Sequence, residues 1–195
     1  MALHLSPSVL KPASAIFVDV PNVELGGLKS PELTRRRLNW RVLGEAILQE
    51  DIPGTLLERV GAYAKTYGDA QSIAHWLERI SLTFGQAGFS IIPRYGKDVD
   101  SWIMNDIWES VVAHEQKSIL NERLWYPLQI RHILVSGDGG YLRTYKSLWK
   151  TFGDHLELEL VVYAWRNGLN DELEAFATKV HCLDEMAGFE LALTL

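Results

Sequence analysis

The chain has 195 residues, enough for one domain with a buried core. Its 47% hydrophobic and 23% charged content is ordinary for a folded protein and argues against disorder as the main state. The formal net charge of −6 argues against a whole-surface nucleic-acid coat while leaving room for a local basic groove, and the single Cys182 excludes an internal disulfide and a cysteine cage for a metal.

Met1 to Ser14 lacks a basic region followed by a long apolar core, so no secretory signal is expected. No apolar run approaches the roughly 18 residues needed to span a membrane. These features predict a cytoplasmic protein without a membrane partner. Ala15-Ile16-Phe17-Val18 is a short apolar, β-branched run that reads as a buried strand. Val20-Pro21-Asn22 and Gly26-Gly27 then read as breaks. Ser30-Pro31 offers an N-cap and a first-turn proline for a helix running to about Gln49. A turn from Asp51 to Thr55 leads to a second strand over Arg59 to Lys65. Ser72 to Gln86 is helical by pattern, with Ile73, Trp76, Leu77, Ile80 and Phe84 on one face.

Phe89 to Pro93 reads as a third strand. Lys97 to His114 carries Ile103, Ile107 and Val111 on one helical stripe, and Gln116 to Gln129 looks irregular, with a loop at Trp125-Tyr126-Pro127. A fourth strand covers Ile130 to Val135, followed by a helix from Gly140 to Phe152 with Leu142, Tyr145, Leu148 and Trp149 inward. Leu156 to Tyr163 is a long strand, Asp171 to Val180 a last helix, and His181 to Leu183 a short edge strand. Strands alternating with helices predict an α/β fold: a mostly parallel central sheet with helices on both faces. No repeat or linker divides the chain, so residues 1–195 read as a single domain.

Three acids fall at turn-like strand ends or helix starts: Asp19 in Val18-Asp19-Val20-Pro21-Asn22, Asp100 in Lys97-Asp98-Val99-Asp100, and Asp138 in Ser136-Gly137-Asp138-Gly139-Gly140. Ligands of an open parallel sheet bind beyond the carboxyl ends of its strands, where such acids converge. Like charges held together raise one another's pKa unless a cation neutralises them. The pattern therefore points to a divalent ion, Mg²⁺ or Mn²⁺, held by Asp19, Asp100 and Asp138. Asp106 lies about 240° round an ideal helix from Asp100, so the two converge only if Asp100 precedes the helix proper. Arg35-Arg36-Arg37, Arg94 and Lys97, and the stripe of Arg143, Lys146 and Lys150 offer cations for a phosphate backbone. The six histidines show no paired ligand spacing and read as structural or surface groups.

In these motifs the chain resembles the NYN family, the PIN-like domains that include the LabA-like proteins. The opening strand ends in Asp19 with Asn22 three residues on. The middle motif is Lys97, Val99, Asp100 and Asp106, and the late motif is Ser136-Gly137-Asp138. Asn170-Asp171-Glu172-Leu173 looks like the family's closing helix. The similarity runs in order over about residues 14–183. It departs at Val20-Pro21, where the family has Gly after the first acid, and at Gly140, where the family carries a second late Asp. Lys117 to Gln129 is longer than the family needs.

The resemblance implies a three-layer, PIN-like or Rossmann-like fold and a metal-dependent ribonuclease acting on RNA, single-stranded by expectation. Asp19, Asp100 and Asp138 would hold Mg²⁺ or Mn²⁺, with Asp106 as a fourth catalytic acid. Asn22, Ser136, Lys97, Arg143 and Lys146 would bind substrate or fix the acids. The competing reading is an inactive NYN-fold module that binds RNA or a protein, because Gly140 removes an acid. Receiver domains need paired acids near the first strand, and phosphatases of the haloacid dehalogenase type need Asp-x-Asp; Asp19-Val20-Pro21 fits neither. The apolar end from Leu191 to Leu195 suits a packed edge or a homo-oligomer contact.

Overall fold

A computed structural model describes residues 13–29, 36–37, 40–50, 55–65, 92–94, 99–120, 127–186 and 190–191. Among them, six parallel strands form one sheet. In chain order these are β1 (Ala13–Asp19), β3 (Thr55–Lys65), β4 (Ile92–Arg94), β5 (Leu128–Val135), β6 (Leu156–Ala164) and β7 (Lys179–Cys182). Their spatial order is β4-β3-β1-β5-β6-β7. The remaining strands, β2 (Arg36–Arg37) and β8 (Glu190–Leu191), pair antiparallel with each other. The α-helices are α1 (Val20–Lys29), α2 (Trp40–Glu50), α3 (Val99–Leu120), α4 (Leu142–Phe152) and α5 (Asp171–Phe176).

Side chains alternate across a strand, and the central strands carry apolar residues at both parities, so the sheet builds two cores. Ala15 and Phe17 of β1, Ile130 and Leu134 of β5, and Leu160 and Val162 of β6 meet Ile103, Ile107 and Val111 of α3 and Tyr145 and Leu148 of α4. The other parity, Ile16, Val18, Ile133, Val135, Val161 and Tyr163, meets Val20 and Val23 of α1 and Leu43 and Ile47 of α2. This is the expected α/β layering, with helices on both faces of a parallel sheet.

Several boundaries differ from the sequence reading. A helix begins at Val20, where breaks were expected, because Pro21 sits in the first turn and has no intrahelical N–H to lose. Gly26 inside that helix lets the Trp165 indole lie against it, where a Cβ would collide with the ring; Trp165 Nε1 donates to Val23 O at 2.6 Å. The expected helix from Ser30 is not continuous, since Arg36–Arg37 is a strand and α2 starts at Trp40. The helix α3 runs on to Leu120 through residues read as irregular. The last helix ends at Phe176 rather than Val180, because Thr178 turns the chain onto β6: its N–H donates to Leu160 O at 2.8 Å, and its Oγ1 accepts from Leu160 N at 3.1 Å. Trp149, expected inward, is 59% exposed. The helix read over Ser72 to Gln86 lies outside the described residues, as do Lys97 and Asp98.

Candidate acid crevice at the switch point

Two chain directions leave β1: toward β3 and β4 on one side, and toward β5, β6 and β7 on the other. The strand order therefore reverses between β1 and β5, and the place beyond the carboxyl ends of the strands at such a reversal is where open α/β sheets bind ligands. The two ends are level, with Val18 opposite Val135, so Asp19 and Ser136 emerge side by side.

Asp19 closes β1 and is 3% exposed. Its Oδ1 accepts from Asn22 N at 3.1 Å. Its Oδ2 accepts from Ser136 Oγ at 3.3 Å and lies 2.9 Å from the Tyr141 hydroxyl. That hydroxyl is also 3.1 Å from Asp100 Oδ1, in the first turn of α3. A phenol has one proton, so Tyr141 donates to one carboxylate at a time. Burial first, and the Asp100 charge as a smaller cause, push the Asp19 carboxyl up to about 6 against the pull of its donors. Burial and the same two carboxylates drive the Tyr141 phenol far above its ordinary range.

The remaining expected residues divide into scaffold and surface. The Asn22 side chain does not enter the crevice as a free ligand; its Oδ1 accepts from Gly137 N at 3.1 Å and ties the β1 end to the β5 loop. Ser136 Oγ also accepts from Asp138 N at 3.2 Å. Asp138 Oδ1 accepts from Gly140 N at 2.7 Å, capping the 3₁₀ turn Gly139–Tyr141. Asp100 lies inside α3, so the condition for convergence with Asp106 fails and the two carboxylates leave the helix on different faces. Arg143 is exposed in the first turn of α4, and Lys146 pairs with Glu172 at 3.3 Å on the surface.

Among the described residues, no group of three or more His, Cys, Asp or Glu side chains is gathered as for one ion, and the hydrogen bonds of Asp138 run to Ser136 Oγ and Gly140 N rather than to Asp19 or Asp100. What is assembled is a carboxylate pair with a hydroxyl between. Such hard oxygen donors suit Mg²⁺ or Mn²⁺, since Mg²⁺ keeps several waters and takes one or two carboxylates. Tyr141 is the residue that sequence reasoning missed as a participant. Its signal was an aromatic with a hydroxyl directly after the Gly-rich acidic turn.

The fold and crevice define a doubly wound α/β protein with an acid pair at its switch point. No family model matches the chain, and no curated protein matches it. Its fold is similar to the crystal structure of a protein of unknown function from Vibrio parahaemolyticus, with a TM-score of 0.65 and 21% sequence identity over 91% of this chain and 96% of the other. Among the described residues, no helix is long and apolar enough to cross a membrane.

Proposed function

We propose that the chain is a cytoplasmic, NYN-type ribonuclease that depends on Mg²⁺ or Mn²⁺. The observation that carries this reading is the Asp19–Tyr141–Asp100 link: an acid at the end of β1, nine-tenths buried or more, and an acid in the first turn of α3, joined by a hydroxyl from the turn after β5. A divalent ion supplies Lewis acidity to a phosphodiester and acidifies water at neutral pH. Asp19 and Asp100 would hold it. Asn22 and Ser136 keep the Asp19 carboxylate in place, and Asp138 shapes the turn that carries Tyr141. Arg143, exposed in the first turn after Tyr141, would meet a phosphate of single-stranded RNA on this reading.

One observation favours the second reading, an RNA-binding module without catalysis: position 140 is glycine and the described acids stop at a pair. Cleavage of labelled single-stranded RNA separates the two. Wild type with Mn²⁺ is expected to cut, and cutting is expected to fall at least about a hundredfold in EDTA and in Asp100→Asn. RNA binding without cutting by wild type in either metal would overturn the ribonuclease and establish the module.

A further inference from the structure

The turn Asp138-Gly139-Gly140-Tyr141 does more than join β5 to α4. Its cap, Gly140 N to Asp138 Oδ1, fixes the 3₁₀ geometry that drives Tyr141 inward, where the ring is fully buried. The hydroxyl ends within hydrogen-bond distance of both Asp19 Oδ2 and Asp100 Oδ1. Both oxygens are the donors that a shared cation would use. A hydroxyl between two carboxylates offers them one proton, the smallest positive charge available, and it can satisfy them in the absence of an ion.

We propose that Tyr141 is a built-in competitor for the divalent ion: its hydroxyl links Asp19 and Asp100 in the metal-free protein and gives up that position when the ion binds. This rests on the metal reading above and adds to it a residue that sets the ion's affinity. The competitor role has a signature that a purely structural role lacks. The same hydroxyl that stabilises the metal-free crevice opposes loading, so removing it moves the two quantities in opposite directions. A tyrosine that only supported the acids would lower both together.

The test is calorimetric titration of MnCl₂ into the full-length chain, with thermal melts in EDTA, for wild type and Tyr141→Phe. The phenylalanine keeps the ring and deletes only the hydroxyl. The expected result is Mn²⁺ affinity raised about tenfold, the worth of a hydrogen bond to a charged group, together with a lower melting temperature in EDTA. Equal or weaker Mn²⁺ binding by the variant, with wild type binding the ion, overturns the competitor and leaves the metal reading standing. No Mn²⁺ binding by either protein overturns both. Wild-type crystals soaked in MnCl₂ give a readout that needs no variant. An anomalous peak at Asp19 and Asp100 with the Tyr141 hydroxyl beyond hydrogen-bond distance of one or both supports the proposal; the hydroxyl still bonded to both overturns it.

Discussion

His132 shows how one buried side chain can set a pH response. Ser110 Oγ spends its proton on Ile107 O at 2.8 Å, so toward His132 Nε2, 3.0 Å away, it acts as acceptor. Nε2 therefore carries the imidazole proton and Nδ1 the lone pair, which has no hydrogen-bond partner. The ring lies edge-on to Phe17 at 5.1 Å, and burial pushes its pKa from 6.5 down to about 3. The unfolded chain takes up this proton as pH falls through 6.5 and the native one does not, so the stability it contributes above 6.5 is lost on acidification, at about 1.4 kcal/mol per pH unit. Asp19 works the other way. Its folded pKa is raised to about 6, so its contribution is present below 3.8 and is lost as pH rises through 6. In metal-free protein the two slopes oppose one another between about pH 4 and 6. Replacing His132 with Phe is expected to shift the stability difference from wild type by about 1.4 kcal/mol per unit over that range, read from urea unfolding at three pH values. A difference constant with pH would show that His132 is charged in the native state. Of the groups around Asp19, the sequence reading named the three that lie at motif positions, Asn22, Ser136 and Asp100. It did not anticipate the role of Tyr141, because a phenol reaching two acids from separate elements leaves no spacing to detect.

At the scale of elements, the legible parts were those whose partners are local or whose pattern admits one answer. The stripe Ile103, Ile107, Val111 on α3 is buried as expected, and β5 and β6 begin and end within two residues of the predicted bounds. The tail was misread because Leu173, Phe176 and Val180 fit helical spacing equally well. What decided it was the edge of β6, whose Leu160 backbone bonds Thr178 and brings Lys179–Cys182 alongside. Loop contacts between distant segments are equally silent in sequence. Asn170 N donates to Gly137 O at 3.0 Å, and a Cβ on Gly137 would strike the Gly168 carbonyl. That obstacle is backbone and cannot rotate away. Gly137→Ala is therefore expected to cost about 1–3 kcal/mol in chemical denaturation, the usual range for overpacking. A cost near zero would mean that the loop after β6 shifts freely against the one after β5.

For the whole molecule, if the proposed ribonuclease reading holds, charge sets the terms on which RNA would approach. There are 25 acidic against 19 basic residues, and of the basic stripe on α4 Lys146 already faces Glu172. An RNA strand would meet few phosphate partners, about two, so the logarithmic salt slope should lie near −1.4 for a single strand. Raising salt from 50 to 200 mM is then expected to weaken binding by less than about tenfold, measured by fluorescence anisotropy in Mg²⁺. A loss of a thousandfold would reveal an extended basic surface instead.

The alternation along β1 has a consequence for how the chain tolerates change. Ala15 and Phe17 serve one core, Ile16 and Val18 the other, and the next residue is Asp19. Both cores and the crevice thus share a single reading frame. Deleting one residue between Ala15 and Val18 would turn the strand by half a pleat, trade Phe17 for smaller neighbours and send the acid to the wrong side. Because the acid follows directly on the two alternating core sets, β1 is the segment whose count of residues is itself part of the site.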